Sequence, residues 1–309
     1  MDVKNYGVDV SKDKLDVACD GRVVQIDNEK KAIKSFVKGM PIGSLVVMEA
    51  TNTYHLEMAD ICHARGMRAF VVNPRITSHY RKANGFRGHN DRMDALALSR
   101  YIEREHDGQR EYVPKSADQG RLKTLVRRRW KLVGIRTQLQ ESLGSLKELS
   151  RELEALLARI DALIAKLELL IDKQLEGNAD RARIETIKGV GPIVSAVLLS
   201  DLACCEFARA DAFVAFYGLD PMPDDSGKRK GRRKLSKQGD RLARAMLYNA
   251  AMSAVKSKDW KPMYDRCQAR GLTKVQALIV VARKIAKTAW SIHTHKTTFN
   301  PDRLFQALT

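Results

Sequence analysis

Four carboxylates and one serine carry the chemistry this sequence could do. The acids are Asp9, Glu49, Asp91 and Asp94, and the serine is Ser236. Two hard divalent cations about 3.5–4 Å apart clamp an in-line phosphoryl displacement through a cluster of oxygen ligands of this kind. Asp91 and Asp94 open DRMDALALSRYI, a stretch of helical pattern. On a helix, residues three apart have Cβ atoms about 5–6 Å apart, so both can face one ion. Taken alone, each is also an ordinary first-turn acid, favoured by the helix dipole and by water. Asp9 and Glu49 are harder to assign to solvent. Asp9 lies between Val8 and Val10 in an alternating stretch, and Glu49 follows the apolar run Leu45-Val46-Val47-Met48. Acids at the ends of buried strands point to function. Ser236 lies far downstream in a very basic segment. Its neighbours Lys228, Arg229, Lys230, Arg232, Arg233, Lys234, Lys237 and Arg241 suit contacts to a phosphate backbone.

The elements that must position these groups read as follows. Residues 1–105 are α/β in pattern. Strands near 4–10, 14–19 and 22–26 are spaced as antiparallel hairpins, with Gly21 at a tight turn. A helix in NEKKAIKSFVKG has Asn28 as its expected N-cap. A strand over 44–49, a helix near 54–65, the strand RAFVVNP and helices flanking GFRGHND follow. The order β-β-β-α-β-α-β-α is that of an RNase H-like domain, in which the first strand, the fourth strand and the last helix converge at one edge. The four acids occupy those elements.

Residues 118–176 differ. A heptad laid from Leu139 has Leu139, Leu146, Leu153, Ile160, Leu167 and Gln174 at one position. Leu143, Ser150, Leu157, Ile164 and Ile171 fill the other. The pattern predicts a coiled coil or a long antiparallel helical hairpin, within one chain or between chains. The preceding RLKTLVRRRWKLVGIR is a solvated basic face or a phosphate contact. Residues 181–309 are mostly helical in pattern. The GVG of RIETIKGVGPIVSAVLLSDL falls at a helix–helix junction. Glycines there either make a plain tight turn or let backbone amides approach a phosphate, as in helix-hairpin-helix elements. Lys228–Lys237 reads as an exposed basic loop, followed by a helix from about Gly239. Cys204-Cys205 reads as part of an apolar helix face. The final helix, VQALIVVARKIAKTAWSIHTH, reads as amphipathic core, with His293 and His295 at the surface.

The chain has 309 residues, with 55 Lys and Arg against 37 Asp and Glu, a formal charge of +18 and a pI near 9.8. That excess implies a polyanionic partner, nucleic acid before membrane. No run approaches the roughly 18 apolar residues of a membrane span, and no signal-peptide pattern opens the chain. Five cysteines without a CxxC pair imply a reducing, cytoplasmic setting.

Along nearly its whole length the sequence resembles DEDD-type insertion-sequence transposases, the bridge-RNA-guided recombinases with a RuvC-like N-terminal domain. The resemblance is carried by GVDVSKDKLDVA, MEATNTYHLEMADICHARGMRAFVVNP, HNDRMDALALSRYI, IKGVGPIVSAVLL, FVAFYGLDP and SGKRKGRRKLSKQGDRLAR, in that order. It implies a RuvC-like RNase H-fold catalytic domain over 1–110 and a coiled-coil region over 118–180. A C-terminal transposase domain over 181–309 would contain the helix-hairpin-helix-like segment and a serine nucleophile. It further implies that Asp9, Glu49, Asp91 and Asp94 ligate Mg²⁺ or Mn²⁺, and that Ser236 attacks a DNA phosphodiester to form a phosphoserine before strand exchange. Ser226 is a rival serine with a poorer motif match. The implied partners are DNA (element ends and target), a structured guide RNA and further copies of the chain in a dimer or tetramer. The two halves of the active site would then come from different subunits, acting at the nucleoid. Two departures stand out: His89-Asn90 replaces the usual Lys-Thr before Asp91, and Asn52 stands where glycine is usual. Three other readings remain. One is a RuvC-like junction resolvase that uses metal-activated water and needs no serine. Another is an actin-like sugar kinase or ATPase, whose glycine-rich phosphate loops are not visible. The third is a nucleic-acid-binding protein without catalysis.

Overall fold

The structure, a computed structural model, describes residues 3–85, 90–114, 116–222, 225–226, 229–230 and 234–304. It divides into two compact units, residues 1–114 and residues 115–309. It is mixed α/β with one five-stranded sheet, and mostly helical beyond it.

In the first unit β1 (Asn5–Val10), β2 (Lys14–Cys19) and β3 (Arg22–Asp27) form an antiparallel meander. Asp20 and Gly21 both have positive φ, so the β2–β3 hairpin closes on two residues, the primed turn that Asp-Gly favours. Helix α1 (Lys30–Lys38) leads to β4 (Leu45–Glu49), α2 (Leu56–Ala64), β5 (Arg68–Val72), α3 (Pro74–Ala83) and α4 (Asp91–Glu105). The strand order is β3-β2-β1-β4-β5, with β1, β4 and β5 parallel.

Strand alternation decides the two faces. Val8, Val10, Leu15, Val17, Val46 and Met48 pack with Ile33 and Val37 of α1 and Met58 and Cys62 of α2. On the opposite face Val47 and Phe70 pack with Leu98, Tyr101 and Ile102 of α4. Full burial of each such side chain contributes about 1.5–3 kcal/mol. One expectation needs correcting here. Asn28 does not cap α1. The cap is Glu29, without a side-chain bond, because the Asn28 amide instead donates to the carbonyls of Ser11 and Tyr54.

In the second unit α5 (Ala117–Leu143) and α6 (Ser150–Gln174) form an antiparallel hairpin. Arg129 pairs with Glu168 and Arg136 with Asp161, both at 2.6 Å. Seven residues forward on α5 therefore match seven residues back on α6. Leu153, Leu157, Ile160, Ile164 and Ile171 are buried as the heptad expects. The heptad does not run unbroken from Leu139, however. The chain leaves helix at Gly144, and Leu146 is exposed in the connection. A helix that reverses direction cannot carry one seam through its own turn.

Helices α7 (Ala179–Glu185), α8 (Pro192–Leu202), α9 (Ala210–Phe216), α10 (Arg241–Ala254), α11 (Lys261–Ala269) and α12 (Lys274–His295) complete the unit. Four two-residue strands precede α10: β6 (Pro221–Met222), β7 (Asp225–Ser226), β8 (Arg229–Lys230) and β9 (Lys234–Leu235). Helix α8 is buried from Ser195 to Leu202. A helix apolar on all sides must be central, and the others surround it. Trp260, Tyr217, Phe213, Leu247, Val281 and Ile285 fill the core around it. The GVG sequence does lie at a helix junction, between α7 and α8. Cys204 and Cys205 are not on a helix face but in the turn after α8. His293 is half-buried rather than superficial, with Nδ1 2.8 Å from Asp180, while His295 is exposed.

Candidate active site

Glu49 ends β4 and Asp9 stands one residue before the end of β1, both on the face that α4 covers. In β1, Tyr6, Val8 and Val10 point into the core beneath α1 and α2, so Gly7 and Asp9 point the other way. Glu49 follows Val47 on that same face of β4. Gly7 brings the helix close. A Cβ there would lie 2.2 Å from both the Ala95 carbonyl oxygen and the Ser99 amide nitrogen, so helix backbone rests directly on strand backbone. The Ser99 hydroxyl donates to the Asn5 carbonyl at 2.9 Å and fastens the crossing.

Asp91 and Asp94 enter in the first turn of α4. The Asn90 side chain caps that helix by accepting from the Met93 amide at 2.7 Å. Residues 86–89, including His89, lie outside the described residues.

The outcome is a concentration of like charge. Burial raises the Asp9 carboxyl most, followed by the charges of Asp91, Asp94, Glu49 and Asp16, and together they lift it from 3.8 to about 7. Glu49, Asp91 and Asp94 thus all lie within electrostatic reach of Asp9.

Three neighbours were not read from the sequence. Asp16 is cross-strand partner to Asp9 and nearly fully buried. The Gln25 side-chain amide holds its carboxylate at 3.1 and 3.3 Å. Pairing the GVDVSKDKLDVA hairpin residue by residue would have revealed it. Thr77 and Arg81 stand four apart on α3 and so share a face. The Thr77 hydroxyl lies 2.5 Å from Glu49 Oε1 and 3.0 Å from the Pro74 carbonyl, two acceptors for one proton. Arg81 forms an ion pair with Asp94, both side chains being largely buried. Nothing in the local pattern of PRITSHYRKA marks those two residues. Asn52, three residues past β4, has φ of 46°. The position requires left-handed backbone, which glycine meets freely and asparagine better than most residues.

A divalent ion suits the chemistry of these donors. They are hard carboxylate oxygens, and burial together with the neighbouring carboxylates raises the Asp9 carboxyl. Among the described residues no three groups close around one point as they stand. Asp94 is turned to Arg81 and Glu49 to Thr77.

Ser236 sits in the second unit on a turn made by two glycines. A Cβ on Gly218 would lie 2.5 Å from the Gln238 amide nitrogen, and one on Gly239 would lie 2.3 Å from the Phe216 carbonyl oxygen. The two backbone segments therefore touch directly. Strands β6 and β9 extend the contact, pairing Pro221 with Leu235. The Ser236 amide donates to the Asp220 carbonyl and the Lys237 amide to the Gly218 carbonyl, both at 3.0 Å. Arg244 donates to the carbonyls of Tyr217 and Gly239, one from each segment. Lys237 takes a left-handed φ of 52° to complete the turn. The Ser236 hydroxyl, partly exposed, donates to Asp220 Oδ1 at 2.5 Å.

Of the expected phosphate-contacting cations, Lys234, Lys237 and Arg241 are exposed. Arg229 and Lys230 lie in β8. Lys228, Arg232 and Arg233 fall outside the described residues. Ser226 lies in β7.

Two family models match the chain. A DEDD-type transposase family of the IS110 kind matches residues 6–150. The transposase IS116/IS110/IS902 family matches residues 181–268. The chain belongs to this transposase family. Over 130 residues, 40% of the chain, it is 31% identical to the insertion element IS116 uncharacterized 44.8 kDa protein of Streptomyces clavuligerus. It is 24% identical to the transposase for insertion sequence element IS1111A of Coxiella burnetii, across 96% of the chain and 92% of that relative. It is 25% identical to the pilin gene-inverting protein of Moraxella bovis, across 82% of the chain and 81% of that relative. The chain spans 31% of the Streptomyces relative and 30% of a related insertion-element protein from Mycobacterium paratuberculosis. Among the described residues no helix is long and apolar enough to cross a membrane.

Proposed function

We propose that this chain is a DNA transposase or recombinase that cuts and rejoins strands through Ser236, assisted by Mg²⁺ or Mn²⁺ at Asp9, Glu49, Asp91 and Asp94. The observation that carries the proposal is the gathering of the four acids, to the point where Asp9 is lifted to about 7. Structural residues do not usually collect charge at such a cost. The strand order β3-β2-β1-β4-β5, with the acids on β1, β4 and α4, supports an RNase H-like, RuvC-type reading of the first unit. Family membership and the gene-inverting relative support action on DNA.

When bound, a divalent ion supplies neutralisation of phosphate charge in the transition state. The residues of the chain do the rest. Arg81, already among the carboxylates, balances part of their charge. Lys234, Lys237 and Arg241 hold the DNA backbone beside the serine. Ser236 Oγ bonds to phosphorus, and the deoxyribose oxygen leaves with a proton. Reversal by a different strand's hydroxyl rejoins DNA without net hydrolysis. The charge of +18 supports nucleic acid as partner. A structured guide RNA and a dimer or tetramer are the partners that the family resemblance implies. In RNA-guided systems base pairing reads sequence and the protein reads shape.

The test is covalent trapping. Full-length chain with co-purified RNA, Mg²⁺ and labelled element-end DNA is denatured and resolved on a gel. The wild type should give a protein–DNA band. Ser236→Ala should give none, and Asp91→Ala should lose at least about a thousandfold in rate, several kcal/mol of transition-state stabilisation. Cleavage that persists in Ser236→Ala without a covalent band would instead identify a nuclease using water.

A further inference from the structure

We infer that Asp220 is the general base for Ser236, taking the hydroxyl proton as the oxygen attacks phosphorus. The inference rests on the reading of Ser236 as nucleophile and adds the residue that activates it. A serine hydroxyl is a weak nucleophile until an adjacent group removes its proton. The first requirement of such a group is geometric, a heavy-atom distance of about 2.6–3.2 Å or via one water. Asp220 Oδ1 meets the Ser236 hydroxyl at 2.5 Å, just shorter than that range.

The contact is built into the fold rather than made by a mobile side chain. The Ser236 amide donates to the Asp220 carbonyl, so backbone and side chain of the two residues are joined at once. The glycine contacts at Gly218 and Gly239 fix the spacing of the two segments, and Arg244 ties their carbonyls together. The Gln238 amide lies 3.4 Å from the serine oxygen, so the oxygen faces one donor and one acceptor. Asp220 belongs to FVAFYGLDP, a block whose chemistry the four-acid site leaves unused.

The step balances with water as proton donor and acceptor. The O–H bond of Ser236 breaks and its proton passes to Asp220 Oδ1. The Oγ–P bond forms, the bond from phosphorus to the deoxyribose oxygen breaks, and the departing oxygen takes a proton from water. On rejoining, a DNA hydroxyl attacks the phosphoserine and gives its proton to water. Ser236 Oγ leaves and recovers the proton from Asp220. No oxidant or reductant is needed.

Asparagine separates this role from a structural one, because its carbonyl oxygen still accepts the serine hydrogen bond but cannot take the proton. The measurement is the first-turnover rate of covalent product, with full-length chain, co-purified RNA, Mg²⁺ and a labelled duplex carrying the junction of the element's ends. Asp220→Asn should melt like the wild type and form the adduct about 10²–10⁴-fold more slowly. A rate within threefold of wild type overturns the inference. Should Asp220→Asn also melt lower, Asp220→Ala with added formate decides. A rate that climbs with formate concentration supports a missing base, and no response overturns it. Ser236→Ala run alongside keeps the two readings distinct. DNA cleavage retained by that variant removes the nucleophile itself. Loss in Ser236→Ala with full activity in Asp220→Asn removes only the base.

Discussion

At Gly7 a helix backbone lies on a strand, and at Gly218 and Gly239 two turns lie on one another. Both candidate centres are therefore made by the same device, close backbone approach where no Cβ intervenes. They end in opposite electrostatic conditions. Around Asp9 the approach crowds five carboxylates together, with Arg81 paired to one of them among the described residues. Around Ser236 the approach satisfies the groups it brings together, with the hydroxyl on Asp220 and the carbonyls on Arg244. Under the proposed function a divalent ion completes the first centre, whereas the Ser236 hydroxyl already meets its partner among the described residues.

That contrast can be broken at the glycines first. Gly218→Ala adds a Cβ both at positive φ and against backbone, and should cost about 3–5 kcal/mol. Gly7→Ala adds only the clash and should cost about 3 kcal/mol. All three tryptophans, Trp130, Trp260 and Trp290, belong to the second unit. In urea titrations the first variant should move the tryptophan fluorescence midpoint. The second should move the circular dichroism transition and leave fluorescence where it was. A fluorescence shift in Gly7→Ala would mean that the two units do not unfold separately.

The pH dependence sharpens the electrostatic half of the contrast. Asp9 binds its proton more tightly folded than unfolded. Between about pH 4 and 7 the unfolded chain has released that proton and the folded chain retains it, so stability falls as pH rises. In EDTA the first unit should melt lower at pH 8 than at pH 5. Asp9→Asn should remove this contribution and raise the melting temperature at pH 8, leaving the tryptophan transition unchanged. No gain in Asp9→Asn would mean that neither burial nor the neighbouring carboxylates penalise the Asp9 charge. The smallest effect is expected in the hairpin. Glu168→Ala deletes a partly exposed ion pair with Arg129 and should lower the fluorescence-detected stability by under about 1 kcal/mol.

Much of this was legible before the fold was known, and particular residues show where legibility ended. Asp9, Glu49, Asp91 and Asp94 announce themselves because each sits where a local pattern has no use for an acid, or opens a helix. The alternation of β1 and β4 then obliges Asp9 and Glu49 to share a face. Thr77 and Arg81 were missed because their roles depend on where α3 lands, which its own residues do not reveal. Asp16 was missed because its meaning comes from a cross-strand partner. Asn28 was misread because a better use for its amide, two carbonyls from distant segments, outcompeted the cap. The heptad misled in register for a related reason, since periodicity continues through a break that the chain makes in space.

The sequence by itself determined the kinds of element, their order, the strand-end acids and the basic character of the segment around Ser236. These follow from periodicity, charge and backbone preference, which act over a few residues. Tertiary structure alone decided which charges meet. It set Arg81 against Asp94, Asp16 beside Asp9 and Asp220 against Ser236. Electrostatic and hydrogen-bond energies depend on distance through space, and residues 16 apart in the chain, such as Asp220 and Ser236, come within 2.5 Å only when the fold brings their segments together.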